Sequence, residues 1–224
     1  MMYILYGGRF TRALIVEMVL AECGIDYKLR EIDIVADEHR QPAYLAINPA
    51  GWVPSLITPS GEVLYETPAL SLHVAEQHSR GALVPDFDDP DRGFFLSGLF
   101  YIHDELEPIL KRYFYPHRYV VHEADTDTVK SRALDAALGC VAVIEQRLAR
   151  RGPYHLGERF TLVDLVFGYW LPLIEFLDVL GPYPRVQACL DRVRARPALG
   201  TFFERQAQWR DEYAQLQARG QGVK

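Results

Sequence analysis

Asn48-Pro49-Ala50-Gly51-Trp52-Val53-Pro54 is the stretch on which the reading of this chain turns. Proline and glycine beside an asparagine end whatever precedes them. Pro54 to Ile57 then meets a Pro59-Ser60-Gly61 turn, and Glu62 to Tyr65 follows, so two short strands joined by turn chemistry make a hairpin. Upstream, Tyr3 to Tyr6 is a β-branched and aromatic run ended by Gly7-Gly8. Ala13 to Ala21 is apolar around a helix that stops at Cys23-Gly24, and Tyr27 to Ile34 reads as an imperfect alternating strand. A short helical segment near Ala43 to Ile47 leads into the hairpin. Downstream, Thr67 is a cap followed by Pro68 at the first helical position, and Leu70, Val74 and Ala75 continue that helix toward Gly81. The order is β-α-β, then β-β-α.

Residues 82–90, Ala-Leu-Val-Pro-Asp-Phe-Asp-Asp-Pro, have no period and read as a linker. Beyond them no β-rich run occurs, while Val129, Ala133, Leu134, Leu138, Val141, Ile144 and Leu148 fall at helical spacing. The expectation is an α/β domain over residues 1–81, a linker over 82–90 and an all-α domain over 91–224. Within the second domain, Thr161 and Asp164 stand at capping-box spacing, with Phe160 and Leu165 at the staple positions, so a helix starts at Thr161.

The 224 residues are 49% hydrophobic and 24% charged, the composition of an ordinary globular protein. A net charge of -6 without a basic block argues against nucleic acid as partner. The longest uncharged apolar run, Leu165 to Ile174, is about half of the ~20 residues that a membrane span needs, and no membrane association is expected. Without a secretory signal pattern at Met1 to Arg9, the chain is expected in the cytoplasm. The three cysteines, Cys23, Cys140 and Cys189, form no Cys-x-x-Cys pair, and His73/His78 and His103/Glu107 lack a third ligand, so no metal is expected.

The Asn48 to Pro54 segment, the pair Glu66-Thr67 and the box Thr161-Leu162-Val163-Asp164 after Gly157 together resemble a cytosolic glutathione S-transferase, over roughly residues 3 to 200. The resemblance implies a thioredoxin-like first domain followed by a helical one. It also implies a cis bond at Val53-Pro54, next to Trp52, that leaves the Val53 backbone to pair with glutathione as an extended peptide. Glu66 would take the ligand's ammonium, and Thr67 its carboxylate, at a helix N-terminus.

Members of that family activate the thiol with a tyrosine, serine or cysteine between the first strand and the first helix. This loop reads Tyr6-Gly7-Gly8-Arg9-Phe10-Thr11-Arg12, with neither serine nor cysteine. Thr11, Tyr6 and Arg12 are the candidates, Thr11 favoured for its place at a helix start. Lowering a thiol with a reference pKa of ~8.5 by about two units requires ~2.7 kcal/mol of preference for the thiolate. Tyr101 and Tyr113 would face a small hydrophobic electrophile in the helical domain. The implied function is conjugation of glutathione, as in detoxification, by a homodimer. The alternatives are a glutathione-dependent isomerase or reductase, and a scaffold that keeps the fold without catalysis.

Overall fold

The computed structural model describes residues 2–79, 81–175 and 177–219; residues 1, 80, 176 and 220–224 of the expected domains lie outside the described residues. The chain divides into two compact units, one built from the residues up to Leu83 together with those from Arg194 onward, the other from Val84–Val193.

In the first unit, β1 (Tyr3–Gly7), α1 (Ala13–Glu22) and β2 (Tyr27–Glu31) are followed by α2 (Pro42–Leu45), β3 (Ser55–Ile57), β4 (Val63–Tyr65) and α3 (Thr67–His78). The sheet order is β2-β1-β3-β4, with β1 parallel to β2 and both β3 pairings antiparallel. Alternation along β1 sorts its side chains. Tyr3, Leu5 and Gly7 are buried on one face, where a Cβ on Gly7 would meet the Ala13 Cβ of α1 at 2.3 Å, so only glycine admits the helix this close. Tyr6 points the other way, its ring 6.1 Å from Tyr44 of α2. β2 ends at Glu31, short of the expected Ile34, and carries Lys28, Arg30 and Glu31, charges that suit an edge strand.

Residues Ala13–Leu20 of α1 are buried all round, including Glu17, at 1% exposure. Its carboxylate is kept by two partners: the Tyr27 hydroxyl donates at 2.6 Å, and Arg205 Nη2 lies 3.0 Å away. Arg205 belongs to α10 (Gly200–Ala218). The sequence expectation ran the helical domain from 91 to the C-terminus. The structure instead groups the stretch from Arg194 with the first unit, and the reason is physical: Arg205 neutralises Glu17, and Arg196 forms a bidentate pair with Glu22 at 2.7 and 2.6 Å.

The second unit contains α4 (Arg92–Phe100), a π-helical turn (Tyr101–Leu106), α5 (Glu107–Phe114), α6 (Thr126–Arg151), α7 (Leu162–Trp170), α8 (Pro172–Glu175) and most of α9 (Pro184–Arg194). Pro108, inside the α4 to α5 run, lacks an N–H and crowds the carbonyl four residues back, which accounts for the wider turn before it. The expected linker is partly fastened to this unit: Arg159 meets Asp89 at 2.6 Å and Asp91 at 3.1 Å, and the Arg92 guanidinium donates to the Pro85 carbonyl at 2.6 Å.

α7 is buried on every side, and its start is the expected capping box. Asp164 Oδ2 accepts the Thr161 N–H at 2.8 Å and the Thr161 hydroxyl at 3.0 Å, while Oδ1 accepts the His155 N–H at 2.7 Å. Burial nonetheless pushes the Asp164 carboxyl up to about 6. The His155 ring stacks on Phe94 at 4.7 Å, and burial pulls its pKa down to about 4. No described helix is long and apolar enough to cross a membrane.

Candidate functional site

Register gathers the candidate residues of the first unit at one end of its sheet. Tyr6 pairs with Ser55 and Ser55 with Tyr65. One step further along the strands, the Gly7-Gly8 loop, Val53-Pro54 and Glu66-Thr67 therefore lie side by side. The Val53-Pro54 bond is cis. The Trp52 carbonyl before it accepts from the Tyr44 hydroxyl at 2.7 Å and from Asn48 Nδ2 at 2.8 Å, while Asn48 Oδ1 accepts the Ala50 N–H at 3.1 Å. These contacts pin the loop from beneath and leave the Val53 backbone without a hydrogen bond among the described residues. Tyr44 and Asn48 are supporting residues that sequence reasoning did not single out. Asn48 carried a turn signal, whereas Tyr44 read only as part of a short helix. Trp52 itself is 49% exposed, with the Arg40 guanidinium 5.6 Å from its ring centre.

At the start of α3 the sequence expectation needs a one-residue correction. Glu66, not Thr67, is the N-cap residue; its carbonyl accepts the Leu70 N–H at 3.0 Å, and Pro68 follows one place into the helix. Glu66 holds φ +75°, ψ 111°, a conformation costly for a residue with a Cβ, and its side chain is exposed. Thr67 is fully buried, and its hydroxyl has no partner, as is also true of Ser71 one turn on.

The glycine-rich loop ends differently from the expected cap at Thr11. The N-cap residue of α1 is Arg12, whose side chain makes no cap hydrogen bond. Thr11 is buried and donates its one hydroxyl proton to the Gly8 carbonyl at 2.7 Å, while its oxygen accepts the Ala13 N–H at 3.3 Å. The hydroxyl therefore braces the loop, and its proton is committed there. Tyr6 lies on the face toward Tyr44, half-buried.

Tyr101 and Tyr113 belong to the helical unit. Tyr101 is half-buried in the π-helical turn, with the Arg147 guanidinium 4.7 Å from its ring centre. Tyr113 is buried, edge-on to Phe114 at 5.1 Å, with Lys130 Nζ 5.1 Å from its ring centre. His103 Nδ1 meets Glu107 at 2.9 Å, and Lys111 meets the other Glu107 oxygen at 2.8 Å. His73 and His78 both approach the Tyr3 hydroxyl, at 3.4 and 3.0 Å. No cluster of three metal-ligating side chains occurs among the described residues.

A helix start with no acidic residue in its first turn, a Val53 backbone without hydrogen bonds among the described residues and an acidic residue at a strained helix cap, joined at one sheet end, can hold an extended anionic peptide. The sequence pattern of the glutathione S-transferase N-terminal domain matches residues 12–77, and that of its C-terminal domain matches residues 103–206. The chain belongs to the glutathione S-transferase family. It is 40% identical over 200 residues to maleylacetoacetate isomerase of Pseudomonas aeruginosa, covering 85% of this chain and 90% of that one. It is 26% identical over 199 residues to glutathione S-transferase 1 of Triticum aestivum, covering 81% and 84%. Among solved structures, a glutathione transferase homologue from Sulfitobacter with bound glutathione superposes with a TM-score of 0.80 at 25% identity, covering 89% of this chain and 96% of that one. This glutathione S-transferase fold is thus a thioredoxin-like unit with a four-stranded mixed sheet, followed by a helical one.

Proposed function

We propose that this protein binds glutathione along Val53, ionises its thiol at the N-terminus of α1, and adds the thiolate to an electrophilic carbon of a small apolar substrate. The single observation that carries the reading is the Val53 backbone, without a hydrogen bond among the described residues, at the same sheet end as Glu66-Thr67 and the glycine loop. Glu66 takes the ligand ammonium. Thr67 and the α3 N-terminus take the carboxylate, a role that the unpartnered Thr67 hydroxyl supports. Because the Thr11 proton is committed to Gly8, the thiolate is stabilised mainly by the helix end and by Arg12, and Thr11 fixes the loop that presents them. Tyr101 and Tyr113 are assigned to the electrophile.

Two outcomes begin from the same thiolate. In conjugation, the adduct takes up a proton and is released. In isomerisation, the sulfur adds to one carbon of a cis double bond conjugated to a carbonyl, the resulting single bond rotates in the enolate, and expulsion of the sulfur restores a trans double bond and free glutathione. Similarity to maleylacetoacetate isomerase favours isomerisation as the physiological outcome, with conjugation as a second activity. Disulfide reduction is disfavoured, because residues 6–12 contain no cysteine. The protein is taken as a cytoplasmic homodimer in which the half-exposed aromatics Trp52 and Tyr65 are covered by a second copy.

The test is calorimetric titration with glutathione, followed by proton spectra of a maleyl ketone mixed with enzyme and catalytic glutathione. The expected result is a heat of binding and conversion to the trans isomer without consumption of glutathione. Adduct accumulation alone would assign conjugation. No heat at millimolar glutathione would leave a scaffold.

A further inference from the structure

Phe10 sits in the middle of the thiol loop with φ +63°, a left-handed conformation that a bulky residue adopts only when its surroundings impose it. Those surroundings come from the far end of the sequence. The Phe10 ring lies 5.3 Å from Tyr213 and 6.5 Å from Trp209, both on α10 and in the same compact unit. Beside it, Arg9 is ion-paired with Glu212 of α10 and lies 3.9 Å from Asp33, with its guanidinium 5.5 Å from the Phe10 ring centre. α10 is itself tied to α1 through Arg205 and Glu17, so the loop and the helix that it opens are held from one element.

We propose that Trp209, Glu212 and Tyr213 are positioning residues for thiol ionisation, acting through Phe10 and Arg9 on the loop that ends at Thr11. The inference rests on the functional reading above. Its logic is geometric. Phe10 directly precedes Thr11, so a relaxed φ at Phe10 swings the Thr11 and Arg12 N–H groups and breaks the Thr11 to Gly8 hydrogen bond, while Val53, Glu66 and Thr67 stay in place. Loss of the α10 contacts therefore weakens thiolate stabilisation and leaves peptide binding largely intact, a split that a merely structural role does not produce.

The experiment compares full-length wild type with Trp209→Ala/Tyr213→Ala, Trp209→Phe/Tyr213→Phe and Glu212→Gln. It reads the pKa of bound glutathione from thiolate absorbance, glutathione affinity by calorimetry, and kcat against KM. The double alanine variant is expected to raise the bound thiol's pKa by about one unit and to lower kcat about tenfold, with glutathione affinity changed less than about threefold. The double phenylalanine variant restores wild-type values, and Glu212→Gln gives a smaller shift in the same direction. If the double alanine variant does not fold, Phe10→Ala removes the same contacts from the loop side and must reproduce the shift. An unmoved thiol pKa and kcat in folded variants overturns the proposal. Wild-type protein on which glutathione titrates as it does free in solution overturns the functional reading instead.

Discussion

Two helix starts in this molecule are built to opposite specifications. At α7 the cap is closed by a carboxylate: Asp164 takes the Thr161 N–H, the Thr161 hydroxyl and the His155 N–H, and the box is buried. At α1 the cap residue, Arg12, makes no side-chain cap and the first turn holds no acidic residue; the Thr11 hydroxyl gives its proton to Gly8 and accepts the Ala13 N–H at 3.3 Å, and the residue before Thr11 is held at positive φ. A closed start contributes stability and can bind nothing. A start without an acidic cap gives up that cap's ~1 kcal/mol and leaves its dipole uncompensated, which favours an anion beside it. Breaking each start should therefore give a different signature, stability at α7 and thiol chemistry at α1.

The largest effect is expected at Asp164. Asp164→Ala leaves three buried donors without an acceptor and should cost about 3 kcal/mol, measured by denaturant unfolding, with glutathione affinity unchanged. The pH dependence sharpens the test. The folded pKa of Asp164 is raised to about 6, so its contribution to stability is full below the unfolded value near 4 and is lost as pH rises through 6. His155, lowered to about 4, runs the other way: its contribution is present above pH 6.5 and is lost as pH falls through 4. Each amounts to about 3 kcal/mol, and between pH 4 and 6 they oppose one another. Wild-type stability should be nearly flat across that window, whereas Asp164→Asn should lose stability steadily as pH is lowered. A flat profile in the variant would remove His155 from the account.

At α1 the expected change is chemical. Thr11→Val keeps the shape and removes the brace, so the loop loosens; the pKa of bound glutathione should rise by about one unit, equal to about 1.4 kcal/mol, with turnover down about tenfold at neutral pH. Tyr6→Phe should change neither, because Tyr6 faces Tyr44. If Tyr6→Phe moved the thiol titration while Thr11→Val did not, the activating group would lie on the strand and the contrast between the two helix starts would fail.

The same contrast shows what local sequence can encode. The capping box was legible because both of its partners lie within four residues and each prefers that position. The hairpin and the order of the first unit were legible because turn residues and alternation act over similarly short ranges. α10 lies in the stretch expected to be all helical, but its grouping with the first unit was not legible, since that placement depends on Arg205 meeting Glu17 and on Arg196 meeting Glu22 across more than half the chain. Glu17 is the clue that could have been read: a carboxylate inside an apolar run needs a cation from elsewhere. The one-residue shift at α3 has a related cause. Threonine is the better cap by preference, but the turn out of β4 puts Glu66 at the cap position with positive φ, against its own propensity.

Glu66 allows the smallest but cleanest test, because its backbone and its carboxylate are separable. Strain at φ +75° costs about 1 kcal/mol, and glycine adopts that conformation without penalty, so Glu66→Gly should leave the fold as stable as wild type or more so, by up to about 1 kcal/mol. Glu66→Gln keeps the strain and removes only the charge. Both should weaken glutathione binding to a similar extent, about 1 kcal/mol, since the carboxylate is exposed in the free protein and its pairing with an ammonium is partly screened. Opposite movements of stability and affinity in Glu66→Gly would mark the strained turn as kept for the ligand. If stability fell along with affinity, the turn would be part of the fold's own support, and the α3 start would belong with the closed one at α7.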